Sequence, residues 1–149
     1  MTAKIKKSKR FEPVKTIAEN KEAAAAVQMN KSAQTQQACL DQLKQLRMYR
    51  DDYVGQFKTK GQCGMSALML QEYQAFVQKL DRAIEEQQHV VKRADAQFDG
   101  HHQAFKQTHS RRKIVDKVIQ QSKKEEAFAD DKQEQKVADD RVFKPQKLD

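Results

Sequence analysis

Residues 73–105 carry the strictest pattern in the chain. Stepping alternately by four and three from Tyr73 meets Val77, Leu80, Ile84, Gln87, Val91, Ala94, Phe98, His101 and Phe105, ten positions of which eight are apolar or aromatic. A 4-3 repeat sustained over more than four heptads keeps one narrow stripe facing a partner helix, because a slight supercoil absorbs the mismatch between 3.5 and 3.6 residues per turn. The residues between are mostly Gln, Lys, Arg, Asp, Glu and Ala, good helix formers with soluble heads. The segment therefore needs a helical partner.

The rest of the chain can supply one. Of 149 residues 34% are charged, only four are Gly and two Pro, and there is no Trp. Such a composition belongs to one helical coiled-coil unit without a large core. No apolar run approaches the roughly 20 residues that span a bilayer. The basic start from Lys4 to Arg10 resembles the charged beginning of a signal peptide, but no apolar stretch follows it. A cytoplasmic, reducing location is expected, and Cys39 and Cys63 have neither the number nor the spacing of a disulfide framework or zinc site.

In chain order, residues 1–13 read as a basic flexible tail ending at Pro13, a residue tolerated at a helix start and disfavoured inside one. A first helix is predicted over 14–54, its stripe clearest at Ala25, Met29, Ser32, Gln36, Cys39, Leu43, Leu46, Arg50, Tyr53 and Phe57. Gly55, Gly61 and Gly64 mark a turn over 55–66, and Ser66 is suited to cap the second helix. That helix is predicted over 67–143, followed by a tail at 144–149, with Gly100 a local weak point rather than a terminator. The expected fold is all-α: two long helices in an antiparallel coiled-coil hairpin, the second longer and projecting beyond the first.

With the turn centred near residue 60, Tyr49 pairs with Tyr73, Leu46 with Phe76, Cys39 with Ile84, Ala25 with Phe98, and Ala18 with Phe105 or its neighbours. Small residues then face large ones, as interdigitated layers require. The first helix would run out opposite residue 109, where the heptad of the second meets Thr108, Arg112 and Ser122 and leaves Ile114, Val115, Val118 and Ile119 as a displaced patch. About 35 residues of the second helix would project. Charge divides along that projection: residues 102–124 hold seven Lys or Arg against one acid, Asp116, while 125–140 hold seven acids against two Lys. Such blocks either keep a surface helix soluble or form a basic collar for an acidic channel or ring.

The stretch from Gln42 to Tyr53, of pattern QLxxLxxYxxxY, and that from Tyr73 to Ile84, of pattern YxxFxxxLxxAI, resemble the two central motifs of the flagellar FliJ family, stalk and chaperone-escort components of the flagellar type III export apparatus. The pattern at Ile17, Ala18 and Glu19 and the charged tail are similar too. The resemblance covers nearly the whole length. It implies an antiparallel coiled coil like the central stalk of rotary ATPases, which inserts into the ring of the export ATPase, touches the membrane export-gate protein and escorts unloaded export chaperones. It implies no catalytic residue and no cofactor, and a location on the cytoplasmic side of the inner membrane at the flagellar base, held there through partners.

Gln42, Leu46, Tyr49 and Tyr53 fall at i, i+4, i+7 and i+11, as do Phe76, Leu80, Ala83 and Gln87. Each set lies roughly 50 to 60° off the centre of its seam, so Tyr49 and Phe76 are expected to be only partly covered by the partner helix. They either broaden the hairpin interface or dock a partner. The resemblance implies docking to the export gate, although relatives often carry His where this chain has Gln87, so no titratable role transfers there. Ring binding, by resemblance, falls to the open end, with Arg111, Arg112, Lys113, Lys117, Lys123 and Lys124 as candidates.

Other readings are weaker. His101 and His102 are adjacent and cannot chelate as an i, i+4 pair would. No phosphate loop, nucleophile elbow or paired-carboxylate arrangement occurs, which argues against an enzyme. A net charge of +8 would suit nucleic acid, but no helix offers a basic face interleaved with aromatics. The remaining alternatives are a generic coiled coil dimerising through the same seam and the equivalent stalk of a virulence secretion system.

Overall fold

The computed structural model describes residues 4–143, and within them the chain is helix joined by one short turn. A four-residue helix, α1 (Lys7–Arg10), precedes two long ones, α2 (Glu12–Gly61) and α3 (Ala67–Val142). The long helices pack against each other as a hairpin, with no strand among the described residues. Contacts gather into two units: Ala25–Phe105 forms one, and the described residues up to Ala24 and from Lys106 onward form the other.

Each long helix buries one stripe. On α3 every residue of the 4-3 series from Tyr73 through Phe105 is buried or half-buried, with Leu80, Val91 and Ala94 at the centre. On α2 the series from Ala25 to Phe57 does the same around Leu43. Among the described residues no large side chain is fully enclosed. That follows from the geometry: in a two-helix pair each seam residue has a partner on one side and water on the other.

The turn is tighter than the glycine cluster suggested. α2 continues through Gly55 and ends at Gly61, so between the two long helices only residues 62–66 lie outside helix. A glycine inside a helix costs about 1 kcal/mol relative to alanine, too little to stop fifty residues held by packing. Gly64 is the glycine the turn requires, at φ 88°, where a side chain would be strained. Ser66 caps α3 as expected, its Oγ accepting from the Met69 N–H at 3.2 Å.

With the turn lying later in the chain, the register moves by between one and two helical turns. Tyr49 packs edge-on to Phe76, with centroids 6.3 Å apart, and Tyr73 stacks on Phe57 rather than Tyr49, centroids 3.4 Å apart. The Arg50 guanidinium meets Asp81, and Gln36 Nε2 donates to Asp95 Oδ1 at 2.6 Å.

The amino-terminal segment also departs from expectation. Residues 7–10 are helical, not a flexible tail, and α2 starts at Glu12 with Pro13 in its first turn. Ser8 is buried beside Glu126. The heptad of α3 does not break at Thr108. Thr108, Arg112, Val115, Ile119, Ser122 and Glu126 continue the 4-3 series as buried or half-buried positions, faced by Ser8, Phe11, Lys15, Ala18 and Glu22 in the matching series of the amino-terminal segment. Lys6 reaches Asp130 at 3.0 Å, so the free run of α3 begins near residue 131, far shorter than the 35-residue projection. The tail at 144–149 lies outside the described residues.

Candidate functional site

The central aromatic cluster sits at the turn-proximal part of the Ala25–Phe105 unit, and its members are positioned by two offset stripes. Tyr53 and Phe57 belong to the α2 seam and Tyr73 to the α3 seam, so their rings stack inward: Tyr53 lies 5.5 Å from Tyr73 and 4.6 Å from Phe76. Tyr49 and Phe76 stand one position outside those seams. Tyr49 is accordingly 54% exposed while its edge rests on Phe76, which is half-buried. An aromatic face is thus held rigidly by a stacked floor and left open to solvent, an arrangement suited to anchoring a partner side chain.

The eight residues singled out for gate docking divide on this geometry. Gln42 and Tyr49 are exposed; Leu46, Tyr53, Phe76, Ala83 and Gln87 are half-buried; Leu80 is 8% exposed and belongs to the core. Gln87 is tied to the hairpin: its Nε2 donates to the Cys39 carbonyl at 3.0 Å and to Gln42 Oε1 at 3.2 Å. Met48, next to Tyr49, is exposed too, whereas exposed Leu40 lies on the opposite flank of the α2 seam.

In the other unit polar contacts join the seam on either side of buried Ile119. The Arg112 guanidinium donates to the Glu22 carboxylate from α2 and to Asp116 Oδ2 at 2.7 Å on its own helix, and His109 Nδ1 lies 3.5 Å from Glu22. The hydrogen bond to Glu22, reinforced by both carboxylates, pushes the Arg112 pKa further up despite the cost of its partial burial. Nearer the amino terminus the Glu126 carboxylate accepts the Ser8 N–H at 2.9 Å and the Ser8 hydroxyl at 2.7 Å. Those two bonds, backbone first, hold the Glu126 carboxyl below its ordinary range. None of these polar pairings follows from an apolar repeat; the signal that could have found them is the 4-3 series continued with charged and hydroxyl residues on both helices.

The six candidate cations also divide. Arg112 is committed to Glu22 and Asp116, whereas Arg111, Lys113, Lys117, Lys123 and Lys124 are exposed. Beside Arg111 runs an apolar groove of about 260 Å³ formed by Val14, Ile17 and Ala18 of α2 and Ile114 and Val115 of α3, with Lys21 on its rim. Ile17 and Ile114 remain more than half exposed there.

Among the described residues no cluster of three metal-ligating side chains occurs, and no helix is long and apolar enough to cross a membrane. His101 and His102 are both half-buried, the His102 ring 5.7 Å from Phe98. The described residues thus present an exposed tyrosine on a packed aromatic floor and a run of exposed cations. The family model described as flagellar FliJ protein matches residues 7–144. No curated protein and no solved structure matches the chain.

Proposed function

The chain belongs to the flagellar FliJ family, a family of flagellar export-related coiled-coil proteins, and from that premise we propose that it is the non-enzymatic stalk of the export apparatus: a hairpin that binds the export ATPase ring, docks on the cytoplasmic domain of the membrane export gate and escorts export chaperones. Its place is then the cytoplasmic side of the inner membrane at the flagellar base, reached through its partners. The observation that supports this best is Tyr49, half exposed on a fixed aromatic floor. Exposed aromatics on a coiled coil are costly unless something binds them.

Gate docking is assigned to Gln42, Tyr49 and the open side of Phe76, with Leu46, Tyr53, Ala83 and Gln87 shaping the surface from below. Leu80 supports it from the core. Ring binding is assigned to the exposed cations Arg111, Lys113, Lys117, Lys123 and Lys124, whose partners are carboxylates lining the ring. Arg112 has a different task, holding α3 to α2.

The test is a pull-down of the wild type and a Tyr49→Ala/Phe76→Ala variant against two baits, the export ATPase and the gate's cytoplasmic domain, with circular dichroism to verify helicity. The variant is expected to keep the ATPase and lose the gate by about tenfold or more in affinity. Lys113→Glu/Lys123→Glu is expected to do the reverse. A wild type that binds neither bait rejects the proposal.

A further inference from the structure

Away from its buried seam α3 carries a second stripe, whose Ile114 also edges the groove against α2 and whose Arg111 and Lys117 belong to the proposed ring-binding set. Ile114 is 60% exposed and Phe128 71% exposed. They lie two heptads apart, so both project from one side of the helix. Each is bracketed three residues before and three after by exposed charges, and the brackets have opposite sign: Arg111 and Lys117 flank Ile114, Glu125 and Asp131 flank Phe128. Midway between the two triplets stands Gln121, exposed and neutral, its Nε2 3.3 Å from Glu125 Oε1.

Reversing such a helix end for end about Gln121 exchanges the triplets. Ile114 takes the place of Phe128, Arg111 that of Asp131 and Lys117 that of Glu125. At these positions the stripe is complementary to itself in the antiparallel sense, while Lys124 and Lys132, one turn either side of Phe128, stand outside the exchange. A parallel copy would set cation against cation and acid against acid. An acidic partner would satisfy only the first triplet and leave Phe128 in water between two carboxylates.

We propose that this stripe is a homodimer interface, in which α3 of one copy lies antiparallel on α3 of a second with the two-fold axis near Gln121. An isologous contact of this kind places Ile114 on the partner copy's aromatic ring twice over and closes four ion pairs around the two apolar contacts. The burial of Phe128 drives association, and the charges set direction and register. One helix pair is a small interface, so the dimer is reversible and weakened by salt. It also covers Arg111 and Lys117, so dimer and ring binding exclude each other; this exclusion, unlike the dimer, rests on the ring reading above.

Sedimentation equilibrium of the full chain at low and high ionic strength tests the dimer. The wild type is expected to associate at low salt and to dissociate as salt rises. Arg111→Glu/Lys117→Glu makes both triplets acidic and Glu125→Lys/Asp131→Lys makes both basic; each variant alone is expected to be monomeric and helical by circular dichroism. Mixed together, the two are expected to form a heterodimer, a gain that damage to the fold could not produce. Phe128→Ser should raise the dissociation constant about tenfold or more. In a background with Cys39→Ala and Cys63→Ser, Gln121→Cys should form a disulfide-linked dimer under mild oxidation and Gln135→Cys should not. A wild type that stays monomeric at low salt, a mixture that fails to associate, or a dimer indifferent to Phe128→Ser each overturns the proposal. Failure of the ATPase pull-down would leave these readouts unchanged.

Discussion

At the scale of single residues the molecule uses two kinds of seam position, and they respond differently to substitution. Leu43 is 7% exposed among the few well-covered apolar residues of the Ala25–Phe105 unit. Its replacement by alanine leaves a gap that two helices cannot close without losing neighbouring contacts. Leu43→Ala is expected to cost about 2 to 3 kcal/mol, the lower part of the range for buried leucine, read as a shifted urea midpoint with unchanged slope. Glu126 is the contrasting case, because its contribution depends on charge. Its carboxyl is held below the ordinary range, first by the Ser8 N–H and then by the Ser8 hydroxyl. A depressed carboxyl stabilises the folded state fully above its unfolded value of about 4.3 and loses that contribution as pH falls through the lower folded value. Protection of the Ser8 amide against hydrogen exchange should therefore persist at pH 5 and vanish below the folded pKa. Glu126→Gln should remove the pH dependence and leave the amide weakly protected throughout.

At the scale of elements the apolar repeat was legible and the turn and its register were not. The 4-3 series from Tyr73 to Phe105 and from Ala25 to Phe57 predicted both buried stripes, because only one face of a helix pair can be covered. The glycines misplaced the end of α2, since propensity weighs little against packing in a helix of 50 residues. The early part of α2 was hidden for another reason. With α1 before it, its seam runs through Ser8, Lys15 and Glu22, and the partners of Ser8 and Glu22, Glu126 and Arg112, are recognisable only when both sides of the hairpin are aligned. Of the candidate site, the exposure of Tyr49 was legible from its angle on the helix; the commitment of Arg112 to Glu22 was not, because it depends on that same alignment. The glycines themselves supply a test. Space for a methyl group is open at Gly55, Gly64 and Gly100, but Gly55 and Gly100 are helical whereas Gly64 has a left-handed backbone. Gly55→Ala and Gly100→Ala are each expected to stabilise by about 0.5 to 1 kcal/mol, and Gly64→Ala to destabilise by about 1 kcal/mol or more despite equal room, measured by thermal melts.

At the scale of the whole molecule the same two helices carry an apolar seam in one unit and a polar seam in the other. The Ala25–Phe105 unit is held by Leu43, Leu80, Val91, Ala94 and the stacked rings of Tyr53, Phe57 and Tyr73. The unit of the described residues up to Ala24 and from Lys106 onward rests on Ile119, two serines and the Glu22–Arg112–Asp116 and Ser8–Glu126 contacts. Partly exposed ion pairs are weakened by screening, whereas apolar burial is not. Stability should therefore be unequal along each helix, although each is continuous in the backbone. Native-state hydrogen exchange of dilute, monomeric protein is expected to show amides at 14–24 and 106–122 opening sooner than those at 36–50 and 76–95, with the difference growing as salt is added. Arg112→Ala should lower protection in the first pair of segments, because it leaves Glu22 and Asp116 without the cation between them, and leave the second pair nearly unchanged. Uniform protection along α3, or a loss at 76–95 as large as that at 106–122, would mean that the hairpin opens as one cooperative unit and that the polar seam holds as firmly as the apolar one.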